Sequence, residues 1–385
     1  MTQKTEIGIE TAEASSVTAA IAADARLEFD AEGVYLNTAT SGLPPRRSQE
    51  ALQKVLTQWR VGRAKAPDHD MALNAARSSY AGLVGVEPSA VAVGGQVSVF
   101  AGLVAASLPD GSEVLTVAGE FTSITFPFLA QAGRGVKVRE VPLERLAESV
   151  TAGTTLVAVS AVQSADGRLA DLDALARAAD ASGARVLLDT TQAVGWLPVD
   201  ASRFAYTVCA GYKWLLAPRG TCFFTVQPEL TGDLIPHNAG WYAGAQRWDS
   251  LYGSPLRLAA DAWRFDVSPA WHSWVAQAPA LDLLNEIGPT ALTPMPLAWP
   301  TASVRASICP LATRQSSACR PDRMSARSWN ELASSPVSVP VGSAWPSTST
   351  TAPTTPTGPL KPSAARSHCE SQGGRRAGRC HRLEW

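Results

Sequence analysis

The stretch from Arg185 to Thr225 decides how the chain folds, and it reads RVLLDTTQAVGWLPVDASRFAYTVCAGYKWLLAPRGTCFFT. A short apolar run in it ends on Asp189, and a second apolar run is followed by Lys213. Buried parallel strands read as short apolar runs bounded by turn residues, and ligands gather at the carboxyl ends of such strands. We therefore expect Asp189 and Lys213 to lie at the same edge of one sheet.

Lys213 and Asp189 have the chemistry of a cofactor site. Tyr212 and Trp214 flank the lysine, and an amine held among aromatic rings has a lowered pKa, which suits a Schiff-base amine. A carboxylate that faces a pyridinium nitrogen keeps that nitrogen protonated, as an electron-sink cofactor requires. The alternative interpretation is a solvated lysine after a core strand, and the upstream motif in register argues against it.

The joint pattern D-x-x-Q-x-x-G-x-x-P-x-D and K-x-x-x-x-P-x-G resembles the pyridoxal 5′-phosphate (PLP) enzymes of the class V aminotransferase group, which includes cysteine desulfurases and is related to kynureninases. The resemblance extends from about Tyr35 to Gly288. It implies an α/β protein of PLP fold type I, with a mainly parallel doubly wound sheet in a large domain, a small C-terminal domain and a homodimer. It also implies that Lys213 and Asp189 are catalytic, that Gln192 hydrogen-bonds the phenolic oxygen of PLP and that Tyr212 binds the phosphate.

Further cofactor and substrate positions follow from the same resemblance. A Gly-Gly break at positions 94 and 95 precedes a predicted helix, and such a turn presents free backbone N–H groups to a phosphate. We expect Gln96, Val97 and Ser98 there, although the Thr common in this loop of the family is missing. The remaining implied contacts are Phe121 on the pyridine face, Ser164 near O3′ where the family usually has Asn, Ser268 at the phosphate of a partner subunit, and Asn37, Ser41 and Trp241 on the substrate.

Ordinary structural roles stay open for several of these residues. A surface turn explains Asn37 and Ser41 equally well, and a core position is the alternative for Phe121. The glycine that precedes the Ser268 position in the family is absent here, so that match is partial.

Apolar periodicity elsewhere predicts alternating strands and helices. Such an alternation favours a parallel sheet with helices on both faces. We predict strands over 113–117, 136–141, 155–161 and 186–188, and helices over 48–61, 71–84, 125–132, 143–150 and 172–181.

Composition excludes several classes of function. The chain has 385 residues, 45% of them hydrophobic and 17% charged, with a net charge of −1. This balance gives no electrostatic reason to expect nucleic acid or an anionic membrane as a partner. No run approaches the ~20 apolar residues of a spanning helix, and the polar N-terminus has no signal core. We therefore predict a cytoplasmic enzyme, and the resemblance given above implies that it acts on an amino acid or amine and binds no metal.

The last quarter of the chain differs from the rest. Residues 293–385 contain 12 of the 27 Pro and eleven basic but only four acidic residues. No period of 3.6 or 2 is sustained there, which is typical of a disordered basic tail. We favour a frameshift near residue 292 instead, because codons read one base early make Pro336 onward compatible with R-V-R-A-G-R-L-R-L-A-F-H-L-Y-N. That run resembles the C-terminal motif of the family, including an Arg that meets the substrate carboxylate, and resequencing the DNA tests it.

These observations define the predicted organisation and function. We predict an N-terminal lead over 1–30, a PLP-binding large domain over 31–260, the start of a small domain over 261–292 and an out-of-frame, disordered tail over 293–385. The predicted reaction is amino-group transfer, with C–S or C–C cleavage and an inactive remnant of the fold as alternatives. Cysteine desulfurase itself is disfavoured, because those enzymes place His where this chain has Phe121 and Tyr212.

Overall fold

A seven-stranded sheet organises the computed structural model, which describes residues 24–33, 35–288 and 292. The predicted lead up to residue 23 and the predicted out-of-frame tail, 293–385, lie outside the described residues. The strand order is β1-β7-β6-β5-β4-β2-β3. The strands are β1 (Val91–Gly94), β2 (Glu113–Val117), β3 (Lys137–Val141), β4 (Thr154–Ser160), β5 (Arg185–Asp189), β6 (Tyr206–Ala210) and β7 (Cys222–Val226).

The direction of the strands decides which residues share an edge of the sheet. The pairs β2–β3, β2–β4, β4–β5 and β5–β6 are parallel, whereas β7 runs antiparallel to both β6 and β1. The carboxyl ends of β1 to β6 therefore lie at one edge, together with the amino end of β7. Side chains that follow those six strands, or precede β7, are brought to the same edge.

Helices cover both faces of the sheet. Successive strand residues point to opposite sides, and apolar residues are buried on both of them. In β4, Val157 and Val159 join one buried cluster, whereas Leu156 and Ala158 join the other. This arrangement confirms the predicted doubly wound α/β class. The helices are α1 (Arg46–Arg60), α2 (Ala66–Val84), α3 (Val97–Ser107), α4 (Thr122–Leu129), α5 (Leu172–Ser182) and α6 (Trp271–Ile287).

One predicted helix is absent from the structure and others have different bounds, such as the helix predicted over 125–132, which spans Thr122–Leu129. The predicted helix over 143–150 is wrong, since two short 3-10 turns, Leu143–Arg145 and Ala147–Ser149, occupy this segment. Only Leu146 is fully buried there, so burial does not offset the cost of nucleating a longer helix. The helix predicted over 71–84 begins earlier, at Ala66, because a proline in the first helical turn is compatible with helix geometry.

Helix α6 packs against α1 and α2. The Ser48 hydroxyl of α1 donates a hydrogen bond to the Ala276 carbonyl of α6 at 2.7 Å. The start of a small domain at residue 261 stays a prediction. No helix of the described residues is long and apolar enough to cross a bilayer.

A buried ion pair joins α2 to the strand and loop that border the predicted site. Arg77 Nη2 lies 2.6 Å from Asp266 Oδ2, and both side chains are at most 1% exposed. Asp266 Oδ1 also accepts the Val93 N–H of β1 at 2.9 Å, and Arg247 Nη2 lies 3.2 Å from Oδ2. Burial raises the pKa of Asp266, and the two guanidinium groups oppose that rise.

We expect Asp266→Asn to lower the free energy of unfolding by about 3–5 kcal/mol, because it leaves two guanidinium groups without their buried counter-charge. Urea unfolding of the variant and the parent protein measures the change. Asp30→Asn is the matched control, since its ion pair with Arg46 is exposed and is expected to contribute less than about 1 kcal/mol. Equal losses for both variants would contradict this account of the pair.

Candidate active site

One cavity lies at the shared edge of the sheet and has a volume of about 530 Å³. This size falls in the range of small-molecule sites. Asp189 reaches the cavity from the end of β5, and Lys213 from the loop after β6. Every residue predicted to bind the cofactor lines this cavity, namely Gln96, Val97, Ser98, Phe121, Ser164, Asp189, Gln192, Tyr212, Lys213 and Ser268.

The turn that follows β5 holds the Asp189 side chain in the cavity. Its side chain is buried, and its Oδ1 accepts the Thr191 N–H at 2.8 Å. Burial raises the pKa of Asp189 to about 6, and the nearby Lys213 charge and the Thr191 hydrogen bonds act in the opposite direction. A carboxylate in this state is stabilised when a cation is placed against it.

Lys213 is buried beside two aromatic rings. Its Nζ lies 5.6 Å from the centre of the Phe121 ring and 5.8 Å from that of Tyr212. Burial lowers the pKa of Lys213, and the Asp189 carboxylate opposes this effect. Each group thus acts on the pKa of the other, as the sequence-based placement at one sheet edge requires.

The glycine and glutamine of the upstream motif pack directly against the lysine loop. Gly195 has a φ of 111°, and a Cβ there would collide with the Trp214 carbonyl oxygen. Only glycine combines that conformation with such close approach. Gln192 Oε1 accepts the Trp214 Nε1–H at 2.9 Å. The spacing of the motif therefore has a physical cause, since its two halves form one packed unit beside Lys213.

Gln192 also joins the loop before α1 to the site. Its Nε2 donates to the Ala39 carbonyl at 2.9 Å and lies 3.4 Å from Ser164 Oγ. The Gly42 N–H donates to the Tyr212 carbonyl at 2.9 Å, which fixes this loop beside Lys213. The hydrogen bond that the resemblance implies from Gln192 to the phenolic oxygen of PLP stays a prediction.

The three residues predicted for substrate do not line the cavity. Asn37 and Ser41 are exposed in the turn around Ala39. Trp241 packs against Tyr242 and Trp248, with ring centres 5.0 and 5.2 Å away. A substrate role for Asn37, Ser41 and Trp241 stays a prediction.

The amino end of α3 forms an anion cradle in the cavity. Gln96 is the N-cap, and no side chain caps the helix. The first-turn N–H groups of such a helix carry a partial positive charge and lack partners within the helix. Ser98 and Ser268 line the same cavity and add hydroxyl donors. Ser268 lines the cavity of its own chain, and the contribution to a partner subunit that the resemblance implies stays a prediction.

Each of these cavity groups suits one part of the PLP molecule. The α3 amino end suits the phosphate, the buried Asp189 carboxylate suits a protonated pyridine nitrogen, and the Lys213 amine suits an aldehyde. The described residues contain no group of three or more side chains able to hold a metal ion.

Two residues that shape the site were missed at the level of sequence. Glu120, in the turn after β2, is buried and accepts the Phe121 N–H at 2.7 Å and the Ser160 N–H at 2.8 Å. It thereby fixes the backbone that carries Phe121. Arg219 lines the cavity from the loop before β7. The available signals were an acidic residue in the turn after a predicted strand and a basic residue inside the P-x-G motif.

Comparisons with known proteins agree with this geometry. The family model for "Aminotransferase class-V" matches residues 34–294. An uncharacterized aminotransferase of Bacillus subtilis is 30% identical over 223 residues, which are 55% of this chain and 59% of the relative. The isopenicillin N epimerase of Streptomyces clavuligerus is 30% identical over 299 residues, which are 69% of this chain and 73% of that relative. The chain thus spans from 59% to 73% of the length of these relatives.

Solved structures show the same fold. The cystine C-S lyase C-DES, in complex with its product cysteine persulfide, has a TM-score of 0.60 at 23% identity, over 66% of this chain and 72% of the other. A C-DES mutant with glycine covalently linked to its PLP cofactor has a TM-score of 0.60 at 22% identity, over 66% of this chain and 71% of the other.

Proposed function

The chain belongs to the class-V aminotransferase family, and we propose that it transfers the amino group of an amino acid or amine with PLP as its cofactor. The observation that carries the proposal is the shared cavity, in which the buried Asp189 carboxylate and the buried Lys213 amine meet the uncapped amino end of α3. A solvated lysine after a core strand would have neither the burial nor the carboxylate.

Each end of the cofactor has a candidate partner among the cavity residues. When bound, PLP supplies an electron sink for the bond that breaks at the substrate carbon. Asp189 would hold the proton on the ring nitrogen, and its burial strengthens that ion pair. The α3 N–H groups, Ser98 and Ser268 would bind the phosphate. Phe121 would orient the ring by stacking at modest gain in energy.

Lys213 would carry the proton transfers. Its lowered pKa increases the share of neutral amine near neutral pH, which a general base needs. It is the only amine among the cavity residues of the described part of the chain. One amine is enough for amino transfer, because it can take the proton from the substrate carbon and return it to the carbon on the other side of the nitrogen. Phe121 and Tyr212 line the cavity at the positions where desulfurases place His, which disfavours that reaction.

The test is the fate of the substrate nitrogen. The PLP-loaded protein is incubated with amino acids labelled on nitrogen, one at a time, together with pyruvate or glyoxylate as acceptor. Amino transfer places the label in alanine or glycine and leaves a 2-oxo acid. Release of labelled ammonium with sulfide or a shortened carbon chain would show a lyase instead. No turnover of any amino acid by a PLP-loaded protein would favour an inactive remnant.

A homodimer and a cytoplasmic location are also proposed, from the sequence resemblance and composition alone. Light scattering coupled to size-exclusion chromatography measures the first property directly.

A further inference from the structure

Arg219 is the third charged side chain of the cavity in the described residues, beside Asp189 and Lys213. It precedes the amino end of β7, which the antiparallel direction of that strand brings to the same edge of the sheet. Its guanidinium carbon lies 4.4 Å from the centre of the Tyr212 ring. The side chain therefore rests on an aromatic wall of the cavity, an arrangement that favours a guanidinium.

Helix α6 holds the backbone of Arg219 in place. The Ser273 hydroxyl of α6 donates to the Arg219 carbonyl at 2.8 Å. The next residue, Gly220, has a φ of 110°, and a Cβ there would lie 3.1 Å from the Ser273 hydroxyl oxygen. The backbone that carries the guanidinium is therefore held in place, whereas the side chain itself is exposed at the cavity mouth.

Arg219 has no carboxylate within ion-pair distance in the described part of the chain, unlike Arg77 and Arg247, which both pair with Asp266. Its positive charge instead contributes to lowering the pKa of Lys213, so it acts on the space where the reaction is proposed to occur. An anion in that space would restore the balance of charge, and a guanidinium binds planar or tetrahedral oxyanions through two parallel hydrogen bonds.

Given the proposed function, we propose that Arg219 binds an anionic oxygen group at the mouth of the cavity, either the phosphate of the cofactor or the carboxylate of an amino-acid substrate. Tyr212 acts as the platform that orients the guanidinium.

Arg219→Gln tests the proposal, since it keeps polar reach and removes the charge. Arg203→Gln is the matched control, because Arg203 also lies over an aromatic ring, Phe204, but outside the cavity. Dissociation constants are measured by absorbance for two ligand pairs. PLP is compared with pyridoxal, which lacks the phosphate, on the protein without cofactor. L-Alanine is compared with ethylamine, which lacks the carboxylate, on the PLP-loaded protein.

We expect Arg219→Gln to weaken one anionic member of a pair by about 10- to 100-fold, as for a lost charge-assisted hydrogen bond. The member without the anion is expected to bind as it does to the parent protein. A loss on PLP alone identifies the phosphate, and a loss on L-alanine alone identifies the carboxylate. The proposal would be overturned if the variant bound all four ligands as tightly as the parent protein does. It would also be overturned if the two members of each pair lost affinity equally. A parent protein that takes up neither PLP nor pyridoxal would instead overturn the proposed function itself.

Discussion

Lys213→Ala is expected to reduce turnover by at least about 1000-fold, because it removes both the covalent anchor and the general base. The fold should survive, since Lys213 lies in the loop between β6 and β7 and not within the sheet. Rates are measured with the best amino acid from the transfer assay, on protein saturated with PLP. The absorbance of the purified variant should also lack the band of lysine-bound cofactor.

Two further variants separate the roles of the Lys213 side chain. Lys213→Arg keeps the positive charge near Asp189 but forms no such link, so it should be as inactive as Lys213→Ala. Lys54→Ala, on the exposed face of α1, is the control and should keep the parent rate. A Lys213→Ala protein that turns over within tenfold of the parent would contradict the assignment of the base.

Asp189→Asn should lower the turnover of the PLP-loaded protein and raise the free energy of unfolding of the cofactor-free protein. The turnover loss is expected to be about 100-fold or more, the size seen when one preorganised electrostatic partner is removed. Asparagine still accepts the Thr191 N–H but cannot hold a proton on a ring nitrogen. The loss should therefore appear in kcat, measured at saturating PLP.

The stability effect follows from the raised pKa. The folded pKa of Asp189 is about 6, against an ordinary value of 3.8. A raised carboxyl pKa means that the stability contributed by the protonated form is complete below about pH 4 and is lost as the pH rises through about 6. The difference between the two pKa values corresponds to about 3 kcal/mol, and asparagine does not carry this cost.

Urea unfolding of the cofactor-free proteins measures this difference. At pH 8, Asp189→Asn should be more stable than the parent by about 1–3 kcal/mol, and the two proteins should converge near pH 4. Asp200→Asn is a useful control, because Asp200 caps an exposed turn by accepting the Ser202 N–H. A cofactor-free Asp189→Asn protein that is less stable than the parent at pH 8 would contradict the buried-carboxylate account.

The site could be predicted from sequence wherever parallel strands end in polar residues. Asp189 ends β5 and Lys213 follows the neighbouring strand β6, so the rule for carboxyl ends is enough to place them together. Gln96 to Ser98 follow from the glycine turn that opens a helix. These positions can be predicted because each depends only on residues that are adjacent in the sequence.

Other features depend on pairings that sequence does not record. The antiparallel direction of β7 brings Arg219 to the site, and an apolar run such as Cys222 to Val226 does not reveal its direction. Glu120 was missed because its partners, Ser160 and Gln163, come from a different strand end. The helix expected over 143–150 failed because tertiary burial, which periodicity does not measure, reaches only Leu146.

The family match ends close to the residue at which the composition of the chain changes. The match stops at residue 294, next to the point near residue 292 where the sequence predicts a frameshift. The frameshift stays a prediction. If it is correct, the site described above has lost the segment that carries the family's C-terminal motif, and Arg219 would be the arginine that remains at the cavity.

The central claim is that Lys213 and Asp189 hold one PLP molecule between them. Borohydride reduction of the PLP-loaded parent protein, followed by proteolysis and mass spectrometry, tests it most directly. We predict one reduced cofactor per chain, on the peptide that contains Lys213, and none on the other five lysines. Attachment spread over surface lysines, or a Lys213 peptide without added mass, would contradict the claim.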